Sequence, residues 1–257
     1  MLNKIYDIER NTLYIYCEVP EYINIIKKRM TMFVESSTKK SNNYIKIYSD
    51  KTIYKINNYE CTIQGKIIQT DLYPLFFNVI SRIVNDEYNM LLHSAVLCYN
   101  NIGILLVGDF GGGKTTLCAE AIKHDMKILS TDQTILSFEN DILEFKHGSK
   151  YMKVCNNDDF IINNIDNNIK IKLIVNLIGL CDNGTLLFKL IDNKYHTTKI
   201  LFKHLTWHSD IPLFTDDSIL FIDRIKIKKW LNKINIPLYN VRGDIKEIIR
   251  RIKEIII

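Results

Sequence analysis

The stretch from Gly108 to Thr115 reads Gly-Asp-Phe-Gly-Gly-Gly-Lys-Thr. A glycine, four residues and then Gly-Lys-Ser/Thr is the spacing of a phosphate-binding loop. The spacing has a physical cause, because a backbone that wraps a triphosphate must turn successive amides inward. Gly111, Gly112 and Gly113 allow the positive-φ geometry this needs and put no side chain in the way. In that geometry Lys114 reaches the β- and γ-phosphates, Thr115 places its hydroxyl on Mg²⁺, and the helix that follows presents its N-terminus to the anion. The nucleotide-binding set predicted from the motif is therefore Gly108, Asp109, Phe110, Gly111, Gly112, Gly113, Lys114, Thr115 and Thr116.

Such a loop needs a strand to enter it and a helix to leave it. The apolar run Ile102 to Val107 supplies the strand, and Thr115 to His124 supplies the helix, with Leu117, Ala121 and Ile122 at core-facing spacing. The preceding run, Leu91 to Tyr99, is separated from that strand by Asn100-Asn101, a pair that tolerates positive φ and so predicts a hairpin. Upstream, YIYCEV, YIKIYS, TIYKI and CTIQGKII read as strands of an antiparallel sheet. Asp71 then stands as N-cap before LYPLFFNVISRIV, whose Leu72, Phe76, Val79, Ile80 and Ile83 recur at helical spacing. Downstream, Asn140-Asp141 and CDNGT mark two further hairpins, NNDDFIINNIDNN reads as a mobile loop, and SILFID, DRIKIKKWLNKI, IPLYNV and DIKEIIRRIKEI alternate strand and helix. The expected division is a sheet-and-helix region at 1–89 and a nucleotide-binding domain at 90–257.

Composition narrows the function classes. The 34 Lys and Arg exceed the 29 Asp and Glu by a small, dispersed surplus, which gives no nucleic-acid or membrane surface. No apolar run is long enough to span a bilayer, and MLNKIYDIER has no apolar core of signal type. The six cysteines have no paired spacing, so a reducing cytoplasm is the expected compartment.

The run Leu92-His93-Ser94-Ala95-Val96, the hairpin, GDFGGGKTT and then KILSTD resemble the HPr kinase/phosphorylase family and its relatives. Those relatives include kinases of ribosomally made peptides and, more distantly, ATP-dependent PEP carboxykinase. The resemblance is firm over about residues 91 to 138 and looser at IPLYNVRGDIKEIIRRI. It implies an α/β phosphate-loop fold with a mixed sheet, preceded by a small antiparallel sheet and helix. It also implies an enzyme that uses ATP and Mg²⁺ to phosphorylate Ser or Thr of a peptide or protein, with self-association into a homo-oligomer left open. In the family a carboxylate after the phosphate-loop helix binds the metal or takes the acceptor's proton, and a histidine from the hairpin contacts it. Asp132 and His93 occupy those places, and Thr115 with Asp132 would hold the metal. The family has two adjacent acids where this chain reads Ser130-Thr131-Asp132-Gln133, so base and metal ligand are not divided between residues.

Each of these residues also has a plainer reading. Asp132 could cap a strand-end turn, and His93 could be a satisfied core histidine. Asp223 ends SILFID like a metal-binding acid on a second strand, or caps the helix that follows. His204 and His208 stand one helical turn apart and could face one ligand, but no third metal ligand is recognisable and a solvated helix face is the simpler reading. Lys150 and Lys153 could meet phosphate in a lysine-rich chain, and Arg242 could cover the nucleotide or pair with Asp244. Two rival functions stay open: a small-molecule kinase or carboxykinase-like enzyme, and an ATP-binding module without transfer activity.

Overall fold

The computed structural model describes residues 1–38, 40–152, 160–161, 168–181, 185–205 and 217–256. Two compact units are present, one of Met1–Asn85 and His208–Ile225, the other of Asp86–Trp207 and Lys226–Ile257. Among the described residues no helix is long and apolar enough to cross a membrane.

The first unit is built on a six-stranded sheet. Its elements are β1 (Leu2–Ile8), β2 (Asn11–Cys17), helix α1 (Pro20–Arg29), β3 (Val34–Glu35), β4 (Asn43–Ile47), β5 (Lys51–Ile56), β6 (Tyr59–Gln64) and helix α2 (Leu72–Val84), in sheet order β3-β1-β2-β4-β5-β6. The sheet is mixed, not antiparallel as the sequence predicts, because β2 and β4 run parallel. The cause is α1, which carries the chain back between them. Pro20 at the first helical position, Glu21 in the first turn and Lys27, Lys28 and Arg29 in the last are sequence signals for that helix. Strand residues alternate strictly: Leu13, Ile15 and Cys17 are buried, as are Ile45, Ile47, Tyr54 and Ile56. α2 buries Leu72, Phe76, Val79 and Ile80 as its periodicity predicts, but Ile83 is only partly buried, with Val84 buried beside it, and Asp71 makes no side-chain cap and closes a 3₁₀ turn instead.

The second unit holds the glycine-rich loop. It contains β7 (Asn89–His93), β8 (Ala95–Tyr99), β9 (Ile102–Gly108), α3 (Lys114–Ile122), β10 (Lys127–Ser130), β11 (Gln133–Glu139), β12 (Ile142–Gly148), β13 (Tyr151–Met152), β14 (Phe160–Ile161), β15 (Ile169–Leu180), β16 (Leu187–Leu190), α4 (Lys194–Leu205), α5 (Asp217–Lys233), β17 (Leu238–Gly243) and α6 (Ile245–Ile256). β9, β15 and β17 form a parallel trio, flanked by antiparallel β8 and then β10 on one side and antiparallel β16 on the other. The long β15 also pairs through Ile169 and Lys170 with β12, which joins the antiparallel β7, β11 and β12 to the same sheet. Alternation along the trio sends Ile104, Leu106, Leu173 and Val175 to a core with α3 and α6. Leu105, Val107 and Ile174 face the other core, which holds Leu201 and Leu205 of α4 and Trp230 of α5.

The Asn100-Asn101 and Asn140-Asp141 turns are hairpins, with all four residues at positive φ. Three sequence expectations fail here. The run Leu91 to Tyr99 is two strands, because the chain breaks at Ser94 to pair with β11 before and with β9 and β10 after. β15 and β16 do not form a hairpin, since β17 lies between them and pairs with both. SILFID is helical, the first part of α5, so Asp223 does not end a strand; its side chain lies outside the described residues. Lys153, Cys155 and His208 fall outside them, as does the stretch read as a mobile loop apart from Phe160, Ile161 and Asn168.

Candidate functional site

The parallel strand β9 delivers the chain into the loop at Gly108, where a side chain would not fit: a Cβ there would lie 2.6 Å from the Leu177 carbonyl oxygen of β15. Gly111 and Gly113 adopt φ of 76° and 94°, the left-handed region that glycine occupies without strain. Gly113 is the N-cap of α3, and Lys114, Thr115 and Thr116 form the first turn, whose amides lack helical partners. A Cβ at Gly111 would meet nothing within 4 Å, so the loop is open on that side. Phe110 is 85% exposed at the loop's tip.

Lys114 is buried, and its ammonium is 2.7 Å from the Gly108 carbonyl oxygen, 3.3 Å from that of Asp109 and 3.2 Å from His93 Nε2. Burial pushes its pKa below the ordinary lysine value, against the upward pull of the nearby Asp132 and Asp109 charges. His93, at the end of β7, sets its Nδ1 3.3 Å from Asp132 Oδ1. The chain Asp132, His93, Lys114 is therefore continuous, and it joins the two residues predicted as catalytic to the loop's lysine.

The fold holds Asp132 in place from three sides. Its carbonyl oxygen accepts the Ser94 amide at 3.0 Å, Thr131 Oγ1 donates to the Tyr151 carbonyl at 2.6 Å, and Ser130 Oγ donates to the Gln133 carbonyl at 2.8 Å. Asp132 keeps a partly exposed carboxylate, while its neighbour Gln133 is 1% exposed. Gln133 pairs directly across from His93, which puts both side chains on one face, and neither polar atom of its amide has a hydrogen-bond partner among the described residues.

Sequence reasoning missed the contribution of α4. His204 is 2% exposed, not on a solvated face, and its ring stacks on His93 with centroids 6.5 Å apart. Burial, with the His93 and Lys114 charges adding to it, drives its pKa down to about 3, so the ring is neutral. The preceding residue, Lys203, forms an ion pair with Asp109 of the loop, which holds the Asp109 carboxyl below its ordinary value. A lysine-rich sequence hides Lys203, and the lone sequence signal for His204 was the apolar spacing of Leu201 and Leu205 around it. Asp244 caps α6, accepting the Lys246 and Glu247 amides at 2.9 and 3.2 Å, while Arg242 stands exposed near the end of β17.

Among the described residues no three His, Cys, Asp or Glu side chains converge on one metal position. The site sets a glycine-rich loop and the first turn of α3 beside a buried lysine and a carboxylate that reaches it through a histidine, a composition suited to a phosphate chain and to the oxygen-rich shell of Mg²⁺.

No protein-family model matches the chain, and no curated protein does. Among solved structures it is similar to the Hpr(Ser) kinase/phosphatase from Coxiella burnetii, at 14% identity and a TM-score of 0.35, over 60% of this chain and 79% of that one. The functional reading rests on the residues themselves.

Proposed function

We propose that the protein is an ATP- and Mg²⁺-dependent phosphotransferase that moves the γ-phosphate to a hydroxyl, that of Ser or Thr in a peptide or protein. The observation that carries this reading is the continuous chain from Asp132 through His93 to Lys114 beside the glycine-rich loop. Nucleotide binding is supported by the residues, and the acceptor class by the resemblance to the HPr kinase family.

The loop fits a triphosphate: Gly111 and Gly113 are at positive φ, and the first-turn amides of α3 are free to donate. Lys114 would exchange its carbonyl contacts for phosphate oxygens. Thr115 and Asp132 would hold Mg²⁺, whose charge offsets that of the β- and γ-phosphate oxygens. Asp132 receives the proton of the attacking hydroxyl, its direction fixed by His93. The acceptor oxygen forms a bond to the γ-phosphorus while the bond to the bridging oxygen breaks, so ADP leaves with the electron pair. Phosphoryl transfer asks the protein mainly for this positioning and charge stabilisation.

One observation favours the reading as an ATP-binding module without transfer. Asp132 has uncharged, buried neighbours on both sides, Thr131 and Gln133, where the family has a second acid. Incubation with γ-labelled ATP, HPr-like proteins and Ser/Thr peptides separates the two. A kinase gives label on Ser or Thr that is stable in acid and lost in base, and label on free metabolites alone points to a small-molecule kinase. Binding of ATP with no label moved leaves only the module.

A further inference from the structure

Resting on that reading, we infer that Lys203 is a second phosphate-binding lysine, held on Asp109 until the terminal phosphate of the nucleotide replaces that carboxylate. Helix α4 is anchored beside the loop at two points. Leu201 and Leu205 are buried in the core shared with Val107 of the strand that enters the loop, and His204 stacks on His93. The backbone at 203 is thereby fixed beside the phosphate loop. Its side chain, by contrast, is 59% exposed, and its ammonium meets the Asp109 carboxylate.

A carboxylate in a loop that wraps a polyanion repels its ligand unless a cation covers it, and Lys203 is that cation. Asp109 also marks the terminal-phosphate end, because its carbonyl oxygen is a contact of Lys114, the residue that reaches the β- and γ-phosphates in loops of this spacing. An exposed ion pair exchanges partners readily, and a phosphate group carries more charge than the carboxylate it displaces. Many phosphate-loop enzymes add an arginine to stabilise the charge of the transferring group. Here the sequence has no arginine between Arg82 and Arg224, so the cation that the segment from β7 through the loop to α4 offers the phosphate is a lysine.

The test is the affinity for MgATP and for MgADP of the wild type, Lys203→Met, Lys203→Arg and Asp109→Asn, by calorimetry, with Lys114→Ala alongside. Lys203→Met is expected to weaken MgATP about tenfold and MgADP less than twofold, with Lys203→Arg restoring most of the loss. Asp109→Asn, which frees Lys203 and removes a like charge, is expected to tighten MgATP severalfold. If the pair served only to brace the loop, Lys203→Met and Asp109→Asn would shift MgATP in the same direction, and that result overturns the inference. Unchanged MgATP binding in Lys203→Met overturns it as well. If Lys114→Ala weakens MgATP while Lys203→Met does not, the phosphate loop stands and only the role of Lys203 falls. If neither matters, both fall.

Discussion

Replacing Lys114 by methionine should make the ligand-free protein more stable while weakening its response to nucleotide. Lys114 is 7% exposed, and its charge is answered by two backbone carbonyls, a histidine nitrogen and the more distant Asp132 and Asp109. Burial disfavours this charge more than its neighbours favour it, so an apolar chain of similar length relieves part of a desolvation penalty on the order of a few kcal/mol. Loss of the donor to the Gly108 carbonyl offsets about 1 kcal/mol, so the expected net gain for Lys114→Met is roughly 1 kcal/mol in urea unfolding. Saturating ligand acts the other way. At about 100 times the wild-type Kd, MgATP stabilises the wild type by about 2.7 kcal/mol and a variant that binds tenfold more weakly by only about 1.4 kcal/mol, which offsets the variant's advantage. The pH dependence follows from the direction of the shift. Because the folded-state pKa lies below the ordinary 10.5, the unfolded chain holds the proton that the folded chain has lost across that window. Wild-type stability therefore rises toward that of the variant as pH climbs through the window, and the gap closes in alkali. A ligand-free Lys114→Met protein less stable than wild type, or one that MgATP stabilises equally, would contradict a buried lysine kept for its ligand.

Gly113→Ala should cost more stability than Gly111→Ala. Both positions have positive φ, worth about 1–2 kcal/mol of strain to alanine, but a Cβ at 113 would lie 2.6 Å from Leu180 Cδ1 while one at 111 meets nothing within 4 Å. Chemical denaturation of the two variants should therefore differ by about 1 kcal/mol. Asp132→Asn should lower phosphoryl transfer by ~10²-fold, the size of a lost general base, while ATP still binds through the loop and Lys114, and single-turnover kinetics beside a binding titration will show it. His204 has a folded pKa of about 3, below its ordinary 6.5, so its contribution is present above 6.5 and is lost as pH falls toward 3. His204→Leu should accordingly lose less stability than wild type when urea midpoints are compared across that interval.

The parts of the fold that local chemistry dictates were legible in the sequence. Asn100-Asn101 and Asn140-Asp141 tolerate positive φ, and both made the hairpins expected of them. Gly108 to Thr115 fixed the strand, loop and helix around the candidate site through spacing alone. What failed depends on pairing at long range. Nothing within LLFKLID says that Leu238–Gly243 will come between it and β15, because a strand's partner is chosen by the whole sheet. SILFID holds a continuous run of four apolar residues, which fits a short strand or a helical turn and a half equally well, and tertiary context made it helix. Lys203 and His204 could be placed at the site only by knowing how α4 crosses β7, which no local pattern encodes.

Everything proposed for this site depends on Gly108 to Thr115 binding the phosphates of a nucleotide through Lys114. A calorimetric titration of MgATP into wild type and into a folded Lys114→Ala protein tests it most directly. One site per chain is expected in the wild type, with an affinity at least tenfold weaker in the variant, about 1.4 kcal/mol. Equal binding by the two proteins would contradict it.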